Sequence, residues 1–511
     1  MPDQSRHTYD DFNELGHFEV DPSAVQLLSQ AFCRRHEVVI LGKIEDNRAA
    51  EVMLGVIDDH DYSLGQLVGQ RLERPVKMVQ LNRFEINKVI EQTWPVAQPR
   101  PQRSAHQIRL DSAKPGPEAK PAELVDDLLL HALAKGASDI HIESYPGDVD
   151  VRLRVDGVLR QLPTLLSPDN LPAVINRIKV MAKLDITERR APQDGRFRVD
   201  VVEGPKERAV DFRVSMLPGL VGEDAVLRIL DSGKSLLSIE RLGMPREPAE
   251  ELRRLVANPE GLVLVSGPTG SGKTTTLYAS LLELQCSTRK VVTAEDPIEY
   301  FIPKLNQKQT SAQVSMADLT RAFLRQDPDV ILVGEIRDEE TALAAAQAAT
   351  TGHLVLSTLH TNDALGAIPR LRGLGLSDDI LADAILGCLN QRLIRRVCAD
   401  CKESTAATDD QRRLFGDFLD DIELVKGAGC ESCFGSGYRG RVGLFEFLLF
   451  DETLQDLLSS GMPVADLRQV LKENNHRTLI EDGLEKVQDG TTSLEELLRV
   501  VPLRAVLAQL R

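Results

Sequence analysis

Aromatic residues are scarce: Phe, Trp and Tyr make up 4% of the 511 residues, with a single tryptophan. That leaves little for base-stacking platforms on single-stranded nucleic acid. Positive charge is in deficit too. Against 78 Asp and Glu stand 61 Lys and Arg, a formal net charge of −17. Such a balance argues against neutralising many phosphates and against direct attraction to anionic lipid. Long apolar runs are missing, none approaching the ~20 residues that span a bilayer. The opening MPDQSRHTYDDF has neither the basic start nor the apolar stretch of a secretory signal. The expectation is a cytoplasmic protein that binds no nucleic acid and meets a membrane only through protein partners. Seven cysteines are too few for a secreted disulfide scaffold of this length.

What is present is an ordinary globular composition, 42% hydrophobic and 27% charged, long enough for several cores. The clearest break is the proline-rich stretch 95–120, read as an extended linker. Before it, residues 1–94 alternate helix-like and strand-like runs: a helix near 21–35, the strands EVVILGKI and AEVMLGVI, a helix near 63–73, the strand VKMVQL and a helix ending near Trp94. This small α/β module carries no catalytic motif, and docking on a partner is its expected task. Residues 121–237 begin with an amphipathic helix, a turn at Gly136 and a strand, then the alternating VDVRLRVDGVLRQL turning at Asp156-Gly157. A helix near 171–184 and further strands complete this middle α/β domain. From 238 to 511 strand and helix alternate, which favours a parallel sheet.

GPTGSGKT, Gly267-Pro268-Thr269-Gly270-Ser271-Gly272-Lys273-Thr274, fits the G-x-x-x-x-G-K-[ST] phosphate loop. The apolar GLVLV precedes it, and Thr275 continues into a helix, as a P-loop requires. Backbone N–H groups would wrap ATP phosphates, Lys273 would place a charge on the β/γ oxygens, and the Thr274 hydroxyl would ligate Mg²⁺. Three more apolar strands end in polar groups: KVVTA in Glu295-Asp296-Pro297-Ile298-Glu299, DVILV in Gly334-Glu335, and HLVLSTL in His360. Parallel strands bring such ends to one edge, where ligands bind. Hydrolysis needs a carboxylate aimed at water. Glu335 is expected to polarise that water while Glu295, Asp296 and Glu299 help hold magnesium. The two carboxylate groups in swapped roles, and Glu335 as cap of a helix beginning near Asp338, stay open as alternatives. His360 is the better γ-phosphate sensor and His353 a second contact, core packing being the competing reading for both. Arg321 and Arg325, four apart on one helix face, either bind phosphate across a subunit boundary or solvate the helix.

Cys398-x-x-Cys401 and Cys430-x-x-Cys433 are paired thiolate motifs, 28 residues apart, with a bite suited to a closed structural Zn²⁺ site in an insert spanning 396–441. Cys33, Cys286 and Cys388 read as packing residues.

These motifs resemble a known family. GPTGSGKTTTLY, TAEDPIEY, LRQDPDVILVGEIRDEETA and TGHLVLSTLHTNDA look like the Walker A, Asp box, Walker B and His box of the type II secretion and type IV pilus assembly ATPases. The resemblance extends through GASDIHIES, the tetracysteine insert and RTLIEDGLEKVQDGTTSLEELLRV, covering roughly 121–511. It implies a RecA-like core, a PAS-like middle domain that closes on nucleotide, a homohexamer and ATP hydrolysis with Glu335 catalytic. By motif position Arg196 and Arg213 resemble middle-domain arginines that reach nucleotide, and Arg321, Arg325, Arg337 and Arg370 occupy family positions in the core. It further implies peripheral recruitment to the inner membrane, with residues 1–94 docking on the cytoplasmic domain of a membrane secretion or pilus protein, and a membrane platform protein being driven. The long N-terminal region and tetracysteine insert favour export or assembly over pilus retraction. The stretch LNQKQTSAQVSMADLT departs from the glutamine-valine run of many relatives.

Overall fold

The computed structural model describes residues 20–43, 51–59, 61–93, 106–109, 116, 118–203, 206–230, 238–284, 288–302, 305–419 and 422–501. Trp94, Cys286 and most of the 95–120 stretch lie outside the described residues. The chain falls into two compact units, residues 1–102 and 103–511.

The first unit is a three-stranded sheet, β1 (Val38–Leu41), β2 (Val52–Val56) and β3 (Val76–Gln80), in that order. β1 and β2 run antiparallel, β2 and β3 parallel. Helices Gln30–His36, Tyr62–Leu72 and Arg83–Thr93 accompany it, and Val39, Ile40, Leu54, Ile86 and Val89 form a closed core. Where one helix was expected near 21–35 there are two, Pro22–Val25 and Gln30–His36. Asp21 and Ser29 each cap a separate start, accepting from Ser23 N and Phe32 N, and so split the segment. Cys33 is buried in this core, its thiol pushed up to about 11 by burial, as suits a packing residue.

In the second unit, a seven-stranded sheet comes first: β4 (Gln107–Arg109), β5 (Asp139–Tyr145), β6 (Asp148–Val155), β7 (Val158–Gln161), β8 (Gln193–Glu203), β9 (Lys206–Pro218) and β10 (Glu223–Leu230), in spatial order β4-β8-β9-β10-β5-β6-β7. β4 arises within the stretch read as linker and pairs in parallel with β8. Helices Pro121–Ala134 and Leu171–Ala182 supply Leu128, Leu129, Val174 and Ile178 to the core of this sheet. Their apolar stripes recur at three- and four-residue spacing, as one-sided packing on a sheet demands.

The larger sheet contains β11 (Gly261–Ser266), β12 (Val291–Glu295), β13 (Asn306–Gln309), β14 (Val330–Val333), β15 (Leu354–Leu359), β16 (Ile385–Val397) and, beyond two short insert strands β17 (Lys402–Ser404) and β18 (Val425–Gly427), β19 (Tyr438–Leu449). Its order is β13-β12-β14-β15-β11-β16-β19, parallel up to β16, with β19 antiparallel at the edge. β11, β12, β14 and β15 are buried along their whole length, which explains their near-continuous apolar sequence. The helix Glu339–Thr350 packs on them through a run of alanines, small enough to let it approach closely. Strand–helix alternation was expected to the C-terminus. Instead the parallel sheet ends at β16, the β16–β19 hairpin carries the cysteine insert, and the described chain closes with helices from Glu452 to Val500. The fold is thus α/β, a P-loop core of parallel strands beside a mostly antiparallel middle sheet.

Candidate active site

The position of β16 sets the phosphate loop. Gly267 (φ 140°) and Gly272 (φ 92°) adopt backbone conformations that favour glycine. A Cβ at Gly267 would fall 2.3 Å from the Gln391 carbonyl oxygen, and one at Gly272 would fall 2.7 Å from Gln391 Nε2. Gln391 is buried, donates from Nε2 to Ser271 O at 2.8 Å and accepts from Thr276 Oγ1 at 2.6 Å. The glycines therefore do two things: they clear the N–H groups and let the loop press on β16. Lys273 Nζ donates to Gly267 O (2.9 Å) and Pro268 O (3.0 Å). Burial lowers its pKa to about 8, with Glu335 pulling the other way.

A cleft of about 520 Å³ opens above this loop, floored by Thr269 to Thr275. Parallel strands deliver Glu295, Asp296 and Glu299 from the end of β12, Glu335 and Arg337 from β14, and Thr358 and His360 from β15. Glu335 is only 16% exposed. It pairs with Arg337, and its Oε2 lies 3.5 Å from His360 Nε2. Burial, and then Lys273, lower the His360 pKa, which favours neutral imidazole. Thr358 Oγ1 donates to Gly334 O at 2.8 Å and fixes the backbone just before Glu335. The next helix, Glu339–Thr350, is capped by Asp338, whose Oδ1 accepts from Thr341 N at 2.8 Å. Asp338 fills the capping position, leaving the Glu335 carboxylate facing the cleft.

Glu295 is placed differently. It is 4% exposed, accepts from Thr293 Oγ1 at 2.6 Å and Gln307 Nε2 at 3.1 Å, and is bonded by the buried Tyr278 hydroxyl. Three donors hold this carboxylate, so it braces the strand end. Glu299 is more open and lies 3.5 Å from Arg213 Nη1, while Arg213 Nη2 donates to Ile298 O at 3.2 Å.

Arg213 comes from β9. Opposite it in register stand Arg196 on β8 and Arg228 on β10. Directly opposed residues in antiparallel strands share a face, so the three arginines form a row across the middle sheet. Arg213 and Arg228 line the cleft; Arg196, one strand further out, is exposed and does not. Burial, outweighing Glu299, lowers the Arg213 pKa, and both flanking arginines add to the effect. Arg228 was not singled out in its sequence stretch, and strand register is what sets it beside Arg213. Tyr278, which closes the Walker A stretch without a role assigned to it there, lines the cleft as well, as do Arg441 and Leu393.

His353, expected at the nucleotide, is not there. It precedes β15 at the amino edge, its Nδ1 3.0 Å from Ala348 O, whereas His360 follows the carboxyl end. Seven residues of strand separate the two by roughly 23 Å. Arg321 and Arg325 also stand off the cleft: Arg321 lies 3.5 Å from Glu340, and Arg325 Nη1 donates to Arg321 O at 3.4 Å. Arg370 Nη2 donates to Arg337 O at 3.2 Å.

The four insert cysteines converge, with all Sγ atoms within 4.8 Å of one another. Cys398–Cys430 and Cys401–Cys433 are 3.8 Å apart and Cys430–Cys433 3.7 Å. A tetrahedron of thiolates about 2.3 Å from zinc has edges of about 3.8 Å, so the set fits that ion. Gly429 N donates to Cys401 Sγ at 3.3 Å, and Cys430 N and Gly437 N donate to Cys433 Sγ at 3.2 Å, as thiolate sulfur requires. Burial works to raise the thiols; the Cys430 and Gly437 donors prevail at Cys433 and hold it at about 6, whereas burial and the neighbouring cysteines push Cys401 up to about 12 without a metal to share the charge. Cys388 is wholly buried, pushed up to about 12 by burial, and packs in the core.

A P-loop at the carboxyl edge of a parallel sheet, with an acid and a histidine facing its lysine, defines an ATP hydrolase of the P-loop class. A family model described as type II/IV secretion system protein matches residues 117–499, and the chain belongs to that family. It is 46% identical over 383 residues to the type II secretion system ATPase E of Vibrio cholerae, covering 74% of this chain and 75% of that one. It is 39% identical over 499 residues to the type IV pilus assembly ATPase PilB of Thermus thermophilus, covering 94% of this chain and 54% of that one. The solved structure of the ATPase DotB of Legionella pneumophila has the same fold, with a TM-score of 0.58 at 24% identity over 78% of this chain and 99% of that one. Among the described residues no helix is long and apolar enough to cross a membrane.

Proposed function

We propose that the chain is the motor of a type II secretion system, working as a homohexamer that turns ATP hydrolysis into pseudopilus assembly and protein export. The similarity to the Vibrio cholerae secretion ATPase supports the choice of machine, and the observation that carries the hydrolytic reading is Glu335, a poorly exposed carboxylate beside His360 and facing Lys273 across the cleft. In this reading Lys273 and the loop N–H groups hold the β/γ phosphates, Glu335 orients the attacking water, and His360 senses the γ-phosphate. Thr274 and the carboxylates around Asp296 and Glu299 would hold the magnesium that accompanies the nucleotide, which would supply charge neutralisation. Arg213 and Arg228 reach the same nucleotide from the middle sheet, with Arg196 behind them. The cysteine cluster holds a structural zinc. Residues 1–94 dock on the cytoplasmic domain of an inner-membrane protein, so the membrane is met through partners.

Arg321, Arg325 and Arg370, away from their own cleft, suit a neighbouring subunit's nucleotide in the hexamer. His353 has no role in this scheme.

A second reading, a type IV pilus assembly motor, is favoured by the pilus relative matching 94% of the chain where the Vibrio cholerae relative matches 74%. Glu335→Gln traps the assembled form, and its co-purification from gently solubilised membranes separates the two. Secretion platform and its cytoplasmic-domain partner are expected; pilin and pilus platform in their place assign the pilus machine.

A further inference from the structure

A second cleft of about 530 Å³ lies between the middle sheet and the cysteine knuckle. One wall is Lys135, Gly136 and the β6–β7 hairpin with Asp156, Arg160 and Gln161; the other includes Cys433, Phe434 and Gly440. Asp156 joins the walls at one end, where Gly440 N donates to its Oδ2 at 3.0 Å and Arg441 Nε lies 3.6 Å from its Oδ1. Elsewhere along the cleft, Lys135 Nζ lies 5.3 Å from the centroid of the Phe434 ring. Arg160 is half-buried, and its Nε has no hydrogen-bond acceptor. Burial and then Arg395 disfavour its charge, while Asp156 and Cys433 support it. Neither Lys135 nor Arg160 forms an ion pair with a carboxylate among the described residues.

A half-buried cation such as Arg160, in no ion pair among the described residues and only partly supported by Asp156, is costly unless further negative charge compensates it. Four thiolates around a divalent ion keep a net charge of about −2, and Cys433 lines this very cleft. The same thiolates would repel a phosphate here, which weighs against a second nucleotide site. We propose that Arg160 is the counter-charge of the metal-loaded cysteine cluster, with Lys135 held on the Phe434 ring of the same knuckle, making that cluster the seat on which the middle sheet is positioned. This rests on the four-thiolate zinc reading above.

The seat bears on the reaction through two connections. The sheet that docks on it also carries Arg213 and Arg228 into the nucleotide cleft, and Arg441, touching Asp156, lines that cleft as well. Arg160 and Lys135 are thus positioning residues, acting at a distance from the phosphates. Loosening the seat lets the arginine row withdraw while leaving the phosphate loop intact.

The test uses the full chain. Zinc is counted first by mass spectrometry; amide hydrogen exchange over Val155–Gln161 is then compared in wild type, Arg160→Ala, Lys135→Met and Arg160→Lys. Zinc content is expected to stay constant across the four. Exchange in the hairpin rises about threefold or more in the first two variants, with β11 unchanged, and Arg160→Lys restores protection. Turnover falls about tenfold in step with the exchange, while affinity for a non-hydrolysable ATP analogue stays within about twofold. Protein that binds no zinc overturns the four-thiolate reading and the seat with it. Zinc-bearing protein whose hairpin exchange ignores both Arg160→Ala and Lys135→Met overturns the seat alone.

Discussion

Glu295 and Glu335 stand at or just beyond the ends of neighbouring parallel strands and border one cleft, yet their surroundings differ in kind. Glu295 is sealed in by Tyr278, Thr293 and Gln307, with its lone pairs spent on protein donors. Glu335 pairs with Arg337, lies beside His360 and faces Lys273 across the cleft. A carboxylate already committed to three neutral donors is a poor choice to direct water, because moving it breaks buried hydrogen bonds. One beside cations in a cleft can exchange partners as charge develops on a phosphate. The lesson is that a sheet edge gathers acids, and the donors beneath each acid decide whether it braces or reacts.

The sharpest way to break this comparison is to remove each charge. Glu335→Gln is expected to lower kcat by about a thousandfold with nucleotide affinity kept, because the amide holds its place without accepting a proton from water. Steady-state turnover and analogue titration measure both sides; a slow enzyme with equally weakened binding would make Glu335 a ground-state contact. Next in size is Tyr278→Phe. It strips one donor from the buried Glu295 carboxylate, and a loss of about 1–3 kcal/mol in unfolding free energy is expected. Urea denaturation reads it. Unchanged stability with collapsed turnover would transfer the catalytic role toward β12.

The sequence displayed most of this edge but not its division of labour. The phosphate loop and the acidic strand ends were legible because each motif has a local cause: glycine-permitted backbone, an apolar strand, then a polar end. His360 followed from the same logic. His353 did not, because a motif spanning a whole strand puts its two histidines at opposite edges of the sheet. Arg196 and Arg213 pointed toward the row in the middle sheet, but Arg228 joins it through strand register, which no window of sequence contains. Gln391 and Tyr278 are similar cases. Each acts on a residue more than ten positions away, and its partner depends on β16 lying beside β11 or on a helix crossing β12. The cysteine cluster was fully legible, since paired C-x-x-C motifs need only a hairpin to bring them together.

The smallest effect sharpens the comparison through Lys273. Its pKa is lowered to about 8 from an ordinary 10.5, burial being the cause and Glu335 the opposing charge. Below about pH 8 the lysine is already protonated, so ATP affinity is flat there. Above it the free enzyme has lost that proton while phosphates favour its return, so binding takes up a proton. Affinity is then expected to fall by at most about tenfold per pH unit as pH climbs from about 8 toward 10.5. Calorimetric titration with a non-hydrolysable analogue follows the midpoint. Glu335→Gln removes the opposing pull and moves that midpoint below about 8. Glu295→Gln leaves it in place, because Glu295 does not act on Lys273 and its charge is absorbed by its own donors. Equal shifts in both variants would mean that the two acids share one electrostatic environment after all, and the distinction drawn from their donors would fail.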